Sequence, residues 1–169
     1  FGSPGAASSA HLAGETLKGA ANIAMTHVPY NNNQLFADLL SGTVSVSFYP
    51  YLTLKPHIEA GTLIPLATTG LARSPFMPSI PTIAESGFPG FEATVWYGLM
   101  GPGRMPKAMA QRMNDDINKV MAMPDVQEKM DQFGAEDGGG SIEKFASFIK
   151  AEQQKWATVA KAASVRPDA

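Results

Sequence analysis

The sequence has no cysteine, which excludes disulfide bonds and thiol chemistry and is compatible with any compartment. Neither sign of charge is in large excess, since 13 Lys and Arg stand against 15 Asp and Glu without a basic run. Nucleic-acid and membrane-surface roles therefore lack electrostatic support. Apolar runs are only a few residues long, far below the roughly 20 that a membrane-spanning helix needs. The 44% hydrophobic and 17% charged residues are typical of a globular protein.

The first part of the chain alternates between helical and strand periodicity. The predicted helices are 9–21, 35–41 and 53–61, and the predicted strands are 21–30, 43–51 and 62–70. Ser8 or Ser9 is the expected N-cap of the first helix, and Gly42 is expected to end the second. Pro56 is expected in the first turn of the third. This order predicts a parallel or mixed sheet covered by helices.

The second part of the chain lacks the alternation of helices and strands seen in the first. Four prolines between residues 70 and 92 predict a loop-rich connection with one short helix, Pro81–Ser86. A strand candidate at 94–102 precedes three amphipathic helices, of which the second is expected to end at Gly134 and the third to be capped by Ser141. We assign the methionines of the first of these helices to the core. One strand cannot cover three apolar faces, so we expect a sheet from a missing N-terminal part, or from another chain, to cover them.

The opening stretch "GSPGAASS" leads directly into the first helix. It lacks the Gly-Lys-Ser/Thr of a phosphate-binding P-loop, the third glycine of a dinucleotide fingerprint and the Gly-x-Ser-x-Gly of a nucleophile elbow. With these motifs excluded, the stretch still offers three general features of an anion site: free backbone N–H groups, a positive helix end and serine hydroxyls. The stretch is therefore either an anion-binding loop or an ordinary helix cap.

Polar or aromatic residues follow three predicted strands in turn. Tyr30 and Asn31 follow the first, Tyr49 the second, and Thr68 lies at the end of the third. Ligands of α/β proteins bind at the carboxyl ends of strands, so these residues are expected at one edge of the sheet together with Ser8 and Ser9. The asparagines also have a simpler interpretation as turn formers.

The histidines give no metal motif. His11, His27 and His57 are too far apart in sequence for a local ligand pair, and no carboxylate pair accompanies them, so we expect no metal and no other cofactor. His11, one turn into the first helix, either assists an anion or packs and caps the loop. No pattern in the sequence argues for serine catalysis, which would require a histidine and an acid brought together by folding.

Several blocks in one order carry a family resemblance. They are "GSPG", "HLAGE", "HVPY", "DLLSG", "KPHIEAGTLIPLATTG", "IPTIAESGFPGFEA" and a closing "FIKAEQQKWATVAKAA". Across essentially its whole length the chain resembles the substrate-binding proteins of tripartite tricarboxylate transporters, the Bug family of extracytoplasmic receptors. The resemblance implies a periplasmic protein with two α/β lobes, of the type II-like periplasmic binding protein fold, and a ligand between the lobes.

The resemblance also implies a domain division. Residues 1–94 match the second ligand-binding lobe, an α/β unit with a mixed sheet. Residues 95–169 match the return segment and the C-terminal helices of the first lobe. The N-terminal part of that lobe is expected to be missing from this sequence, because the first residue already lies inside a motif.

In the family, the loop matching Gly2–Ser9 binds a ligand carboxylate through backbone amides and serine hydroxyls. Two residues depart from the family pattern: Ala7 replaces a usual glycine, and Tyr49 replaces an aspartate that suits a ligand amino group. An amino-acid ligand is thereby disfavoured relative to a plain or aromatic carboxylic acid. The expected ligand-binding residues are Ser3, Gly5, Ala7, Ser8, Ser9, His11, Tyr30, Asn31, Tyr49 and Thr68.

The leading hypothesis is thus a non-enzymatic periplasmic receptor that captures a small carboxylate for a tripartite tricarboxylate-type transporter. Its expected partners are the carboxylate, the membrane components of the transporter, and either the missing N-terminal part or a second copy of the chain. Two alternatives remain open: a hydrolytic enzyme of the α/β class that uses the loop serine Ser8 or Ser9, and a non-catalytic interaction domain.

Overall fold

The computed structural model describes residues 1–136 and 138–165. Its elements are β1 (Gly2–Ser3), α1 (Ser9–Ala21), β2 (Val28–Pro29), α2 (Gln34–Ser41), α3 (Tyr51–Glu59), α4 (Lys107–Met121), α5 (Pro124–Phe133) and α6 (Ile142–Ala162). Among the described helices none combines the length and apolar character needed to cross a bilayer. The described residues divide into two compact units, one formed by Phe1–Val95 with residues 156–165, the other by Trp96–Lys155.

The first unit contains a small parallel sheet with β1 at its centre. Gly2 pairs with Val28 of β2 on one side and forms an isolated parallel bridge with Ser47 on the other. The Gly2 N–H donates to the Val46 carbonyl at 3.0 Å, and the Ser47 hydroxyl donates to the Gly2 carbonyl at 2.8 Å. All three segments run in one direction, so their carboxyl ends lie at the same edge of the sheet.

Helix α1 packs beside β1 through its small residues. Ala10, Ala13 and Gly14 are buried, and a Cβ added to Gly14 would lie 2.1 Å from the ring of Phe1. Ala13 continues into a core with Ile83, Phe91 and Ala93, against which Trp156 packs. A second close approach exists at Gly2, where a Cβ would lie 2.2 Å from Cδ1 of the fully buried Leu35 of α2. Small side chains thus allow both helices to approach the central strand.

The predicted strands are much shorter than expected. Residues 21–30 form a ladder only at Val28–Pro29, and residues 43–51 and 62–70 contribute only single bridges at Ser47 and Thr68. Residues 94–102 form no strand, and Val95 and Leu99 in that segment are exposed. A strand requires a neighbouring backbone to pair with, and within the described residues these segments have few such neighbours. Conversely, the sequence did not predict β1 itself, at Gly2–Ser3.

Two helix predictions need correction. Residues 81–86 form turns rather than a helix: the Thr82 hydroxyl accepts the Glu85 N–H and the Glu85 carboxylate accepts the Thr82 N–H, the pairing of a capping box without a helix behind it. Helix α3 begins at Tyr51, not at residue 53, so Pro56 lies inside it instead of in its first turn. Pro50 directly precedes Tyr51 and has the extended ψ of 138° that suits a helix start.

Other helix predictions are confirmed. Helix α1 spans Ser9–Ala21 with Ser8 as N-cap, α2 ends at Gly42, and α5 ends at Gly134. The Ser141 hydroxyl accepts the Lys144 N–H at the start of α6. Each of these helix ends depends on a side-chain cap or a left-handed glycine within a few positions. Such caps can be predicted from the sequence.

The second unit has an aromatic centre around Trp96. The Trp96 ring meets Phe145 and Phe148 edge-on, at centroid distances of 5.8 and 5.3 Å. Its indole N–H donates to the buried Glu152 carboxylate at 3.2 Å. On α4, by contrast, the apolar face is exposed, since Met109 is 55% and Val120 47% accessible. Within the described residues the methionines of α4 are therefore not core residues, contrary to the sequence-based assignment.

Candidate functional site

The loop between β1 and α1 is organised around one carbonyl group. The Gly5 carbonyl accepts the hydroxyls of Ser3 and Ser8, both at 2.8 Å, and the Ser8 N–H at 3.4 Å. Gly5 has a φ of +138° and Ala7 a φ of +58°. Ala7 thus occupies the left-handed region, in which an L-residue with a Cβ is strained. Hydrogen bonds from both sides hold this loop in a single tight conformation.

The start of α1 presents donors without a protein partner. Ser8 caps the helix, since its hydroxyl accepts the His11 N–H at 3.2 Å and its carbonyl accepts the Leu12 N–H. In the described part of the chain no acceptor is paired with the backbone N–H of Ser9 or of Ala10. Ser9 is exposed, whereas Ala10 is buried, and both N–H groups belong to the first turn, at the positive end of the helix. This arrangement suits a carboxylate.

Two histidines lie behind the loop. The rings of His11 and His27 stack with centroids 3.6 Å apart and an angle of 10° between their planes. His11 Nδ1 accepts the Ala7 N–H at 3.0 Å, and His27 Nε2 lies 2.6 Å from the Ser3 hydroxyl oxygen. Burial, followed by the neighbouring His11, holds the pKa of His27 below its usual value. His11 is thus buried against the loop, whereas Ser9 is exposed.

The residues after β2 lie at the same sheet edge as the loop. The Tyr30 N–H donates to the Ser3 carbonyl at 2.9 Å, and the Tyr30 hydroxyl donates to Asp38 at 2.7 Å. That hydrogen bond raises the pKa of Tyr30. With its hydroxyl engaged, Tyr30 offers a ligand mainly its aromatic face. Asn31 beside it is exposed.

Tyr49 follows the bridge at Ser47 and so leaves the sheet at this same edge. Its half-buried ring meets Phe36 edge-on at 6.1 Å, and burial raises its pKa. Thr68 is placed differently. It bridges to Thr82, and among the described residues no bridge joins it to β1, β2 or Ser47. Its hydroxyl oxygen is buried without a hydrogen-bond partner there. Two of the three expected strand ends, those before Tyr30 and before Tyr49, therefore share an edge, and a shared edge for Thr68 stays a prediction.

Sequence reasoning missed the partnership of His27. His11 and His27 were treated as separate because 16 positions divide them, yet the fold stacks them face to face. Ser3 and His27 also form a serine–histidine contact that no sequence motif predicts. Ser3 is fully buried, so no substrate reaches its hydroxyl. His11 lies in the predicted helix 9–21 and His27 in the predicted strand 21–30, and no local pattern links them to each other or to Ser3.

Metal binding and serine catalysis receive no geometric support in the described residues. No group of three or more His, Cys, Asp or Glu side chains there is arranged to hold a metal ion. The Ser8 hydroxyl donates to a backbone carbonyl and accepts a backbone N–H, which leaves it without a contact to a base. Activation of a serine needs such a base within hydrogen-bond reach.

Known proteins show clear similarity to this chain. The family model described as "Tripartite tricarboxylate transporter family receptor" matches residues 1–165. A UPF0065 protein of Pseudomonas sp. (strain P51), from the tcbD-tcbE intergenic region, is 37% identical over 158 residues. That alignment covers 92% of this chain and 47% of the relative, so the chain spans about half the length of the curated protein.

Two solved structures are similar in both sequence and fold. R. palustris Rpa4515 with adipate superposes with a TM-score of 0.86 at 32% identity, covering 99% of this chain and 56% of that one. The periplasmic binding protein BugD gives a TM-score of 0.81 at 29% identity, covering 99% and 57%. The first unit, with its short parallel sheet and flanking helices, is thus consistent with a lobe of the periplasmic binding protein fold. The chain belongs to the family of tripartite tricarboxylate transporter receptors.

Proposed function

We propose that this chain carries the carboxylate-binding loop of a periplasmic solute receptor that serves a tripartite tricarboxylate-type transporter. One observation carries the proposal: the N–H groups of Ser9 and Ala10 have no acceptor among the described residues, beside the exposed Ser9 and at a loop already fixed by internal hydrogen bonds. A fixed loop loses little conformational entropy when a ligand binds. The adipate complex of the similar R. palustris protein supports a carboxylate as the ligand class.

The proposed ligand is a small carboxylic acid without an amino group. The half-buried Tyr49 and the aromatic face of Tyr30 lie at the same sheet edge as the loop, and neither supplies a negative charge to an ammonium group. Asp38 is the nearby carboxylate, and it is already bonded to Tyr30 and Gln34. An uncharged aromatic wall suits an aliphatic or aromatic acid better than an amino acid.

We further propose that the protein acts by binding and release rather than by catalysis. The receptor family of the chain supports this, as does the engagement of Ser8 with backbone groups. The buried Ser3 is the serine that contacts a histidine, and it lacks the access that a nucleophile needs. Turnover of a bound ester or acid by the purified protein would contradict this part of the proposal.

The test uses the complete gene product and isothermal calorimetry against mono-, di- and tricarboxylates and aromatic acids, with adipate as the first probe. The decisive variant is Ser9→Pro. Proline is favoured at the first helical position, and Ser8 has the extended ψ of 161° that a following proline requires, so α1 should remain folded. The variant removes one N–H and one hydroxyl donor. Loss of hydrogen bonds to a charged group should weaken binding about tenfold or more.

Lys107→Pro is the matched control, because it places proline at the first position of α4, after Pro106 with an extended ψ of 136°. It should leave affinity unchanged. Ser9→Ala should have a smaller effect than Ser9→Pro, because it removes the hydroxyl and keeps the N–H. If no anion binds the complete protein, or if Ser9→Pro binds as tightly as the wild type, the loop is only a helix cap. An interaction domain would then be the better hypothesis.

A further inference from the structure

The loop between β1 and α1 is tied at two points to a pair of histidines. Ser3, where the loop begins, contacts His27 Nε2 at 2.6 Å. Ala7, near its end, donates its N–H to His11 Nδ1 at 3.0 Å. Since the two rings stack 3.6 Å apart, each histidine limits the movement of the other. The pair therefore fixes the spacing between the two ends of the loop.

The bond from Ala7 coincides with the strained point of the loop. Ala7 is the loop residue that combines a Cβ with a positive φ, here +58°. An L-residue remains in this region only where other interactions compensate for the strain. The His11 acceptor supplies one such interaction at Ala7 itself. Without it, the left-handed turn at Ala7 loses a bond that favours it over the extended alternatives.

The bond also fixes a protonation state. Because Ala7 donates, His11 Nδ1 must carry a lone pair, which places the proton of the neutral ring on Nε2. His11 Nε2 lies 3.9 Å from Glu15 Oε1, and Lys18 contacts the Glu15 carboxylate at 2.7 Å. The charged or titratable groups that face the pair are thus Glu15, Lys18, the amino group of Phe1 and the histidines themselves. A proton on His11 Nδ1 would place an N–H donor opposite the Ala7 N–H donor and break the hydrogen bond between them.

We infer that His11 is a positioning residue for the proposed carboxylate site, acting through the Ala7 N–H, with His27 as its support. The inference rests on the proposed function and extends it to residues that stay out of contact with the ligand. His11 is buried and bonded to Ala7, whereas Ser9 is exposed at the start of the helix. The chemistry needed from His11 is a hydrogen-bond acceptor at the Nδ1 position.

The first experiment compares His11→Asn with His11→Leu in the complete gene product. The Asn side chain can place an oxygen acceptor near the former Nδ1, and Leu fills similar space without one. Binding of adipate, or of whichever acid of the panel binds best, is measured by calorimetry beside the melting temperature. We expect His11→Leu to weaken binding about tenfold and His11→Asn to stay within about threefold of the wild type. Equal losses in both variants, following the loss in melting temperature, would overturn the inference.

A ligand-free measurement separates this inference from the proposed function. The hydrogen exchange of the Ala7 amide should be slow in the wild type and in His11→Asn and fast in His11→Leu, whether or not any acid binds. If no acid binds but this pattern holds, the proposed function fails and the positioning of the loop by His11 stands. If the Ala7 amide exchanges equally fast in all three proteins, the positioning role is wrong.

Discussion

The Nε atom of Arg73 lies 2.9 Å from Oε2 of Glu85, and the same carboxylate oxygen accepts the Thr82 N–H at 2.9 Å. Arg73 also donates to the Pro78 carbonyl at 3.1 Å. These bonds connect both ends of the proline-rich segment before Thr82. The Glu85 carboxylate thus stabilises the turns around Ile83, whose side chain packs in the core.

Glu85 should make stability depend on pH. The Thr82 N–H, followed by Arg73, holds the pKa of Glu85 below its usual value. The unfolded chain then binds the proton more readily than the folded one, so this contribution is present above the ordinary glutamate pKa and is lost as the pH falls through the lowered value. Urea unfolding should show the deficit of Glu85→Gln at neutral pH, shrinking on acidification. Glu59→Gln, an exposed glutamate of α3, is the control, and a deficit of Glu85→Gln that stayed constant with pH would contradict the prediction.

Ala7→Gly should stabilise the first unit. Relief of the left-handed strain is worth roughly 1–2 kcal/mol, and the greater freedom of glycine in the unfolded chain costs about 0.4–1 kcal/mol. A net gain of about 0.5–1 kcal/mol is expected in the free energy of unfolding. Ala6→Gly is the control because Ala6 lacks a positive φ, and this substitution should only destabilise. The prediction is wrong if both variants shift the melting temperature in the same direction.

Two glycines of α1 should respond to alanine in opposite ways. A Cβ at Gly14 would lie 2.1 Å from the buried Phe1 ring, whereas nothing lies within 4 Å of a Cβ at Gly19. Gly14→Ala should therefore cost about 1–3 kcal/mol through overpacking. Gly19→Ala should gain about 0.5–1 kcal/mol through helix propensity. Chemical denaturation of the two single variants measures both values, and a Gly14→Ala protein as stable as Gly19→Ala would refute the close approach.

The exposed apolar face of α4 should drive self-association of the 169-residue chain. Met109 is 55% accessible on that face, in line with Met113, Ile117 and Val120. Met109→Glu should shift light-scattering masses toward the monomer, because it places a charge in the apolar stripe. Gln111→Glu adds the same charge on the opposite side of the helix and should leave the mass distribution unchanged. A wild-type chain that remains monomeric at all concentrations would contradict the prediction.

Sequence predicted the helices of this chain better than its strands for a physical reason. The start of α1 is encoded by Ser8 and the end of α2 by Gly42, and both act on backbone groups within a few positions. The pairing of Gly2 with Val28 and Ser47 depends on residues 26 and 45 positions away, which no local pattern reveals. Long apolar alternation was therefore interpreted as long strands, although only short ladders form.

The same distinction applies to the candidate site. The loop and the Ser8 cap could be predicted, because glycines and serines before a helix have local meaning. The stacking of His11 on His27 could not, because it brings a residue of α1 against one in the segment before β2, 16 positions away. The methionines of α4 were assigned to the core because they belong to an amphipathic helix, and that pattern does not specify what covers the apolar face.

The central place of β1 has a consequence for the order of folding. Residues 2–3 leave the ribosome before both of their sheet neighbours, and Ser47, which bonds to Gly2, is made 45 residues later. The central strand therefore cannot pair until the segments on both sides of it have been synthesised. Each pairing closes a long loop of chain. The loop that follows Ser3 therefore also forms late, because it depends on the pairing of β1. Its chemistry is encoded in a handful of adjacent residues, but its assembly depends on much of the unit having been synthesised.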